Sequence, residues 1–427
     1  MKIENVKGGI NFLPKEQSIR NYINKVLIET FEEYGYKPVE TPIITYYDIL
    51  SDKYDENNDL LKEIYKLSDQ GERKLGLRYD LTVPFAKLIA LNKNSIKYPF
   101  KRYEIAKVFR DGPIKKGRDR EFTQCDVDVV GIEGQLIEAE LISLYVSAFN
   151  KLGIDIIIKY NSRNLMRGLI LESNIEESLI SKVITIIDKY DKLSKDEIRN
   201  LLISIDIKND SINKLLDFFK LSISDINNIF KNTTNATLKQ GIEEINTLYN
   251  YLNKMNINEY VIFTPTLARG QDYYTGNVFE VYEKNNLITS SIGGGGRYDN
   301  MITNFIDDGN KYPAVGISFG LSCIYELLKD KDINNIVDIL IIPMNTEIES
   351  LILANKIREL GYKVEIEMNN KKLKKSMENA NKEGIPYVIV VGENEVKNKS
   401  FNLKNMITGE NIVIQLNNIN TIKNIIK

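Results

Sequence analysis

Residues 99–131 read PFKRYEIAKVFRDGPIKKGRDREFTQCDVDVVG, and much of the molecule can be worked out from them. The pattern is strand, basic polar loop, strand. In the second strand a period of two puts Gln124, Asp126 and Asp128 on one face, because successive side chains of a strand point to opposite sides. Such an acidic row either faces solvent or lines a pocket. At the end of the first strand stands Arg110, followed by a loop carrying Lys115, Lys116, Arg118 and Arg120. Guanidinium groups are planar, permanently charged and bidentate, which suits phosphate oxygens. A fixed arginine beside a basic loop can grip a nucleotide or a polynucleotide, and an ordinary surface hairpin looks the same.

Working towards the N-terminus, residues 80–91 read as a helix with Thr82 near its start, and short strands fall at 64–67 and 75–79. Residues 36–44 (YKPVETPII) read as a strand interrupted by proline, which suits an edge or an interface. Residues 14–34 place Ile19, Ile23, Val26, Leu27, Phe31 and Tyr34 near helical spacing, with Gly35 as the stop.

Towards the C-terminus, residues 164–258 are helical and polar, carry no catalytic pattern, and read as an inserted module. Strands return at 260–263 and 278–282, and residues 314–328 run from strand into helix. After a charged linker at 329–335, strands at 338–343, 363–367, 386–391 and 401–405, with helices at 347–360 and 371–382, describe a small open α/β domain.

The 427 residues exceed one ordinary core, so two or three domains are expected. The longest apolar runs are far shorter than the roughly 20 residues that cross a bilayer, and the start, MKIENVKGG, has no apolar core of a signal peptide. Cys125 and Cys323, the two cysteines, have no paired spacing, which fits a reducing cytoplasm and excludes a cysteine zinc site. Histidine is absent altogether. That removes Ser-His-Asp and Cys-His mechanisms, histidine bases and histidine-ligated metals. The net charge of −2 gives no global footprint for nucleic acid, leaving local basic clusters at 115–120 and 371–375.

Two further segments carry chemistry. In LARGQDYYTG (267–276), Gly270 and Gly276 bracket a turn that presents Arg269, Tyr273 and Tyr274 from a short, stiff piece of chain. Tyrosine offers an apolar face and a hydrogen-bonding tip to a planar polar ligand. In GGGGR (293–297) the missing side chains let backbone approach a ligand closely, although the dinucleotide fingerprint is absent.

Taken together these segments resemble the histidyl-tRNA synthetase family. Residues 36–44, 99–131 and 314–328 look like class II motifs 1, 2 and 3. LARGQDYYTGNVFE (267–280) and SIGGGGRYD (291–299) look like the family's two signatures. Residues 77–82 and 124–128 are closer in form to archaeal and eukaryotic members than to common bacterial ones. The resemblance implies an α+β fold: an antiparallel class II catalytic sheet with a helical insertion, plus a C-terminal α/β anticodon-binding domain. The expected division is 1–163 and 259–330 for the catalytic domain, 164–258 for the insertion and 336–427 for the anticodon domain.

The same resemblance implies a histidine–tRNA ligase, with ATP, histidine and histidine tRNA as substrates, Mg2+ on the ATP, and a cytoplasmic homodimer without membrane contact. Arg110 and Arg269 would be catalytic at the α-phosphate. Arg118, Arg120, Gly295 and Gly296 would join Arg110 around ATP. Asp80, Thr82 and Gln124 would hold the α-ammonium group, and Asp128, Tyr273 and Tyr274 the imidazole. One departure stands out: Cys323 occupies the slot where motif 3 carries an ATP-binding arginine. The competing reading is a histidine-sensing regulatory paralogue of a phosphoribosyltransferase. Such paralogues usually lack the C-terminal domain.

Overall fold

The computed structural model describes residues 2–51, 59–114, 119–269, 273–331, 336–369 and 372–426. They form two compact units, Met1–Asn11 with Ile23–Lys329, and Phe12–Tyr22 with Asp330–Lys427.

In the first unit the strands follow in chain order as β1 (Lys37–Pro38), β2 (Ile44–Tyr46), β3 (Lys66–Ser68), β4 (Lys74–Leu77), β5 (Phe100–Phe109) and β6 (Glu121–Val130), then β7 (Ile156–Ser162), β8 (Val261–Phe263), β9 (Asn277–Glu283), β10 (Gly293–Arg297) and β11 (Ala314–Gly320). An eight-stranded sheet has the order β1-β5-β6-β11-β10-β9-β7-β8, and β2-β4-β3 form a second, three-stranded sheet. All neighbours in the large sheet are antiparallel except the two edge pairs, β1–β5 and β7–β8.

The β5–β6 hairpin pairs from Phe100 opposite Val130 to Phe109 opposite Glu121. This places Arg102 beside Asp128 and Glu104 beside Asp126, all on one face. Residues 36–44 depart from expectation. Only Lys37–Pro38 pair, as a parallel edge, and Ile44–Tyr46 belong to the other sheet. Proline lacks the donor a longer ladder needs.

The sheet rests on the helix Leu136–Leu152, which the sequence reading passed over together with β7. This helix buries Ile137, Leu141, Leu144, Tyr145, Ala148 and Phe149 around most of its circumference, so it shows no clean apolar stripe. Between β7 and β8 the chain is helical as expected, from Arg163–Glu172 to Ala236–Lys254. These helices share a core of their own that includes Met166, Ile184, Ile198 and Leu215. Ser194 with Glu197 and Ser222 with Asp225 form capping boxes that fix two helix starts.

The second unit holds β12 (Ile339–Pro343), β13 (Val364–Ile366), β14 (Tyr387–Val391), β15 (Ser400–Asn405) and β16 (Asn411–Gln415), in the order β13-β12-β14-β15-β16. The first three are parallel and the last two join antiparallel. Helices Glu347–Glu359 and Leu373–Lys382 match the two read from sequence; β16 was not foreseen. Among the described residues no helix is long and apolar enough to cross a membrane.

Candidate active site

The face of the large sheet that carries the β5–β6 charges forms the floor of a cleft of about 630 Å³. Gln124, Asp126 and Asp128 from β6 and Ile317 and Ser318 from β11 line it. Tyr79, Asp80 and Thr82 reach it from the turn before the helix Thr82–Asn92, and Arg110 from the end of β5. Arg269, Tyr273 and Tyr274 close another side, over Gly294 and Gly295. The acidic row therefore faces a pocket.

Each group is held by identifiable bonds. Asp80 Oδ1 accepts from the Val83 N–H at 3.0 Å, which ties the carboxylate to the first helical turn. Arg78, just before it, is buried and donates to Thr41 O at 2.6 Å and to Glu104 Oε1 at 3.0 Å, anchoring that turn to β5. Arg110 donates from Nε to Tyr79 O at 3.0 Å, and its guanidinium carbon lies 5.0 Å from the Phe122 ring centre. The segment leading to Arg269 is clamped from β7 and the helix after it. Asn161 donates to Pro265 O and Leu267 O, and Arg163 donates to Ala268 O at 3.1 Å.

Arg269 itself has φ +55°, an uncommon backbone conformation for a side-chain-bearing residue, and its guanidinium lies 3.6 Å from Glu280. Beneath it the glycine run is a strand, not a loop. Its lack of side chains decides whether the arginine fits, since a Cβ at Gly294 would stand 2.0 Å from Arg269 Nη1.

The deep end is ionic. Arg102, fully buried, lies 2.7 Å from Asp128 Oδ2 and 3.5 Å from Glu104. The N–H is not aimed along the carboxylate lone pair, because Asp128 Oδ2 is left without a hydrogen bond despite the short contact. Tyr298 O–H donates to Asp128 Oδ1 at 2.5 Å. Burial pushes the Asp128 carboxyl above the usual range against the pull of Arg102. Tyr273 packs on Tyr274 and edge-on to Tyr298, with ring centres 4.7 and 6.0 Å apart.

The cleft thus unites Asp80, Thr82, Arg110, Gln124, Asp128, Arg269, Tyr273, Tyr274 and Gly295. Three expected residues stand differently. Arg118 lies outside the described residues. Arg120 does not line the cleft; it pairs with Asp111 at 3.1 Å. Gly296 is in the same strand as Gly295 and comes close to the Tyr274 ring, but is not a lining residue. Cys323 sits in the helix Leu321–Leu328 as a free, partly buried thiol away from the lining, with burial pushing its pKa up.

The sequence reading passed over Arg102 and Tyr298, and it named Asp126 as part of the acidic row without giving it a role. Arg102 and Asp126 carried a signal, since charged residues of matched register on two paired strands share a face. Tyr298 had none beyond its place in SIGGGGRYD. Arg297 of that segment turns out to be a clamp. It grips Glu138 of the helix Leu136–Leu152 through Nε at 2.7 Å and Nη2 at 2.9 Å.

An antiparallel sheet with a motif-2 hairpin, a strand-to-helix motif 3 and two arginines over a polar floor defines a class II aminoacyl-tRNA synthetase. Comparison with known proteins narrows this. The histidyl-tRNA synthetase family model matches residues 9–324, and an anticodon-binding domain model matches 338–424. The chain belongs to the histidyl-tRNA synthetase family. It is 46% identical to histidine–tRNA ligase 1 of Bacillus cereus, over 99% of this chain and 98% of that one. The likeness of residues 77–82 and 124–128 to archaeal and eukaryotic forms thus occurs in a chain with a close bacterial relative. The crystal structure of histidyl-tRNA synthetase from Nostoc sp. PCC 7120 superposes with a TM-score of 0.89 at 27% identity, covering 100% of both chains. A Bacillus halodurans structure described as an ATP phosphoribosyltransferase regulatory subunit/histidyl-tRNA synthetase shares the fold, with a TM-score of 0.75 at 23% identity over 89% of this chain and 97% of that one.

Proposed function

We infer that this chain is a histidine–tRNA ligase, activating histidine with ATP and transferring it to the 3′ end of histidine tRNA. The observation that carries the reading is a single cleft joining Arg110 and Arg269 to a polar, acidic floor. In the first step a histidine carboxylate oxygen attacks the α-phosphorus. The bond to the β-phosphate oxygen breaks, and pyrophosphate leaves with the electron pair. The nucleophile is already ionised at neutral pH, so the step needs no general base and suits a protein without histidine. Arg110 holds the α-phosphate, and Arg269 bridges carboxylate and phosphate as charge gathers between them. In the second step the oxygen of a terminal tRNA hydroxyl attacks the acyl carbon, the bond from that carbon to the phosphate oxygen breaks, and AMP leaves as its phosphate takes up the hydroxyl proton.

Asp80, Thr82 and Gln124 orient the α-ammonium group, while Asp128 and Tyr274 face the imidazole, with Tyr273 shaping the wall. A polar pocket rejects analogues lacking the ring nitrogens because its buried groups would be left unpaired. Gly295 and Gly296 lie against the adenylate, and Arg118 and Arg120 serve the outer phosphates or the tRNA end. Magnesium would come with the ATP substrate, since no cluster of acidic side chains among the described residues would hold it, and it would supply positive charge to the phosphates. With Cys323 in place of an arginine, ATP binding is weaker while turnover is kept, since outer-phosphate contacts act alike on ground and transition states.

The domain reading 1–163 with 259–330, 164–258 and 336–427 goes with this function, as does a homodimer through the motif 1 region. Exposed β1 and the exposed apolar Ile43, Ile44 and Tyr46 support the latter. Neither Cys125 nor Cys323 is in a disulfide, which supports a cytoplasmic setting. The deciding experiment is histidine-dependent ATP–pyrophosphate exchange by the purified chain. Exchange is expected, and its absence at saturating ATP would favour the regulatory reading.

A further inference from the structure

Walking along β6 from the Arg110 end, the cleft floor presents Gln124, Asp126 and Asp128 in turn, roughly 7 Å apart. A ligand anchored at Arg110 and Arg269 by its carboxylate, with its side chain running towards Asp128, passes over Asp126. Asp128 accepts from the Tyr298 hydroxyl on Oδ1 and faces Arg102 at 2.7 Å with Oδ2, which makes no hydrogen bond. Asp126 has no cation that close, and its side-chain hydrogen bond is with Ser318. It is 5% exposed, its Oδ1 has no hydrogen-bond partner, and it lines the cleft. The charged and titratable groups facing it are Asp128 on its own strand, Arg102 and Glu104 on β5, Asp80, Tyr145 and Tyr298. The one cation in that set is shared with Asp128 and Glu104.

We propose that Asp126 is a specificity-determining residue, which recognises histidine by sharing a proton between its unpartnered oxygen and the near nitrogen of the imidazole ring. Asp128 and Tyr274 then face the far edge of the ring. This deepens the function proposed above and rests on it. Burial, followed by repulsion from Asp128, pushes the Asp126 carboxyl up to about 7. Imidazole titrates near 6.5, so the raised carboxyl moves towards the range in which the ring itself exchanges a proton. A hydrogen bond between such partners can form from either side: ionised Asp126 accepts a ring N–H, or protonated Asp126 donates to a bare ring nitrogen. Amide and phenol side chains also donate and accept hydrogen bonds, but they do not titrate in that range and so share no proton with the carboxyl. The proton stays within the pair, and no other acceptor is needed.

The test uses the full-length protein and histidine labelled with 15N in the ring. Because the chain contains no histidine, every imidazole signal belongs to the ligand. In the wild type the bound ring should remain hydrogen-bonded across about pH 6–8, with a titration displaced from that of free histidine. Asp126→Asn should return the ring to an ordinary titration. It should also raise the KM for histidine about tenfold, leave the KM for ATP within about twofold, and flatten the pH profile of kcat/KM for histidine. Asp126→Glu, which keeps a titrating group at altered reach, should restore the pH dependence. An identical ring titration in wild type and Asp126→Asn, or an unchanged histidine KM in that variant, overturns the proposal. Failure of wild-type exchange with ligand binding intact would instead remove the ligase reading and leave the ring titration to decide on Asp126.

Discussion

Two residues in the cleft make opposite demands on the protein. Arg269, proposed to serve the chemistry, is expected to cost little to remove from the fold. Arg269→Ala should lower pyrophosphate exchange by about a hundredfold or more, the scale for one preorganised donor at a developing charge. Its melting curve should stay near wild type; wild-type exchange in the folded variant would remove the assignment. Asp126 is the reverse, a buried acid that the fold keeps at a cost. Its folded pKa, about 7, exceeds its unfolded one, so its contribution to stability is complete below about pH 4 and is lost as pH rises through 7. Asp126→Asn should therefore melt a few degrees above wild type at pH 8 and level with it near pH 4. Equal melting at both values would mean that Asp126 ionises freely. Sequence made one of these residues visible and hid the other for a physical reason. Arg269 lies in a segment that only one kind of site uses, whereas an acid on an alternating strand looks the same facing water or a pocket.

At the scale of elements, the legible parts were those whose two faces differ. In β6 polar and apolar residues alternate from Gln124 to Val129, so the strand and its two faces were readable, whereas its register against β5 came with the structure. The helix Leu136–Leu152 is apolar nearly all round and β7 is a short apolar run, so neither left a periodic signature. Glycine 241 explains a different element-level feature, the close crossing of the helices Arg163–Glu172 and Ala236–Lys254. A Cβ there would stand 2.1 Å from the Leu165 nitrogen, and main chain cannot swing aside. Gly241→Ala should therefore destabilise by about 1–3 kcal/mol or more, despite the better helix propensity of alanine. A denaturant midpoint equal to or above that of wild type would show that the crossing can open without cost. These two helices pack beside the clamp on Ala268 and Arg269, so a small loss of activity should accompany the loss of stability.

At the scale of the whole molecule, each of the two units has apolar clusters of its own. The Asp330–Lys427 segment carries apolar clusters built from its own residues, around Ile341, Ile357, Ile389 and Leu403, and around Leu340, Ala380 and Val388. The cleft draws all its lining from the other unit. Removing residues from Asp330 onward should therefore leave histidine-dependent exchange within a fewfold of the full chain, while aminoacylation of tRNA falls by about a hundredfold or more. Loss of both activities together would mean that the cleft needs the second unit to form. This division was legible because a charged linker and a change to regular strand–helix alternation mark it. What sequence did not reveal was that Phe12–Tyr22 group with the second unit, since a helix periodicity says nothing about which core it serves.

Strand β10 joins these scales. It lies between β9 and β11, held from Gly293 to Gly296 by main-chain pairing and by side chains of its neighbours, with none of its own. Four consecutive glycines surrender more backbone freedom on ordering than other residues would, and they bring no side chain to repay the loss. The strand beneath Arg269 should therefore be the rung of the sheet that opens most readily. Deuterium uptake at Gly293–Gly296 is expected to outpace that of β6 in the ligand-free protein. It should slow towards the β6 rate once histidine and ATP are added. Uptake in β10 as slow as in β6 without ligand would show a rigid floor. The expected result would mean that bound substrates complete the sheet that holds them.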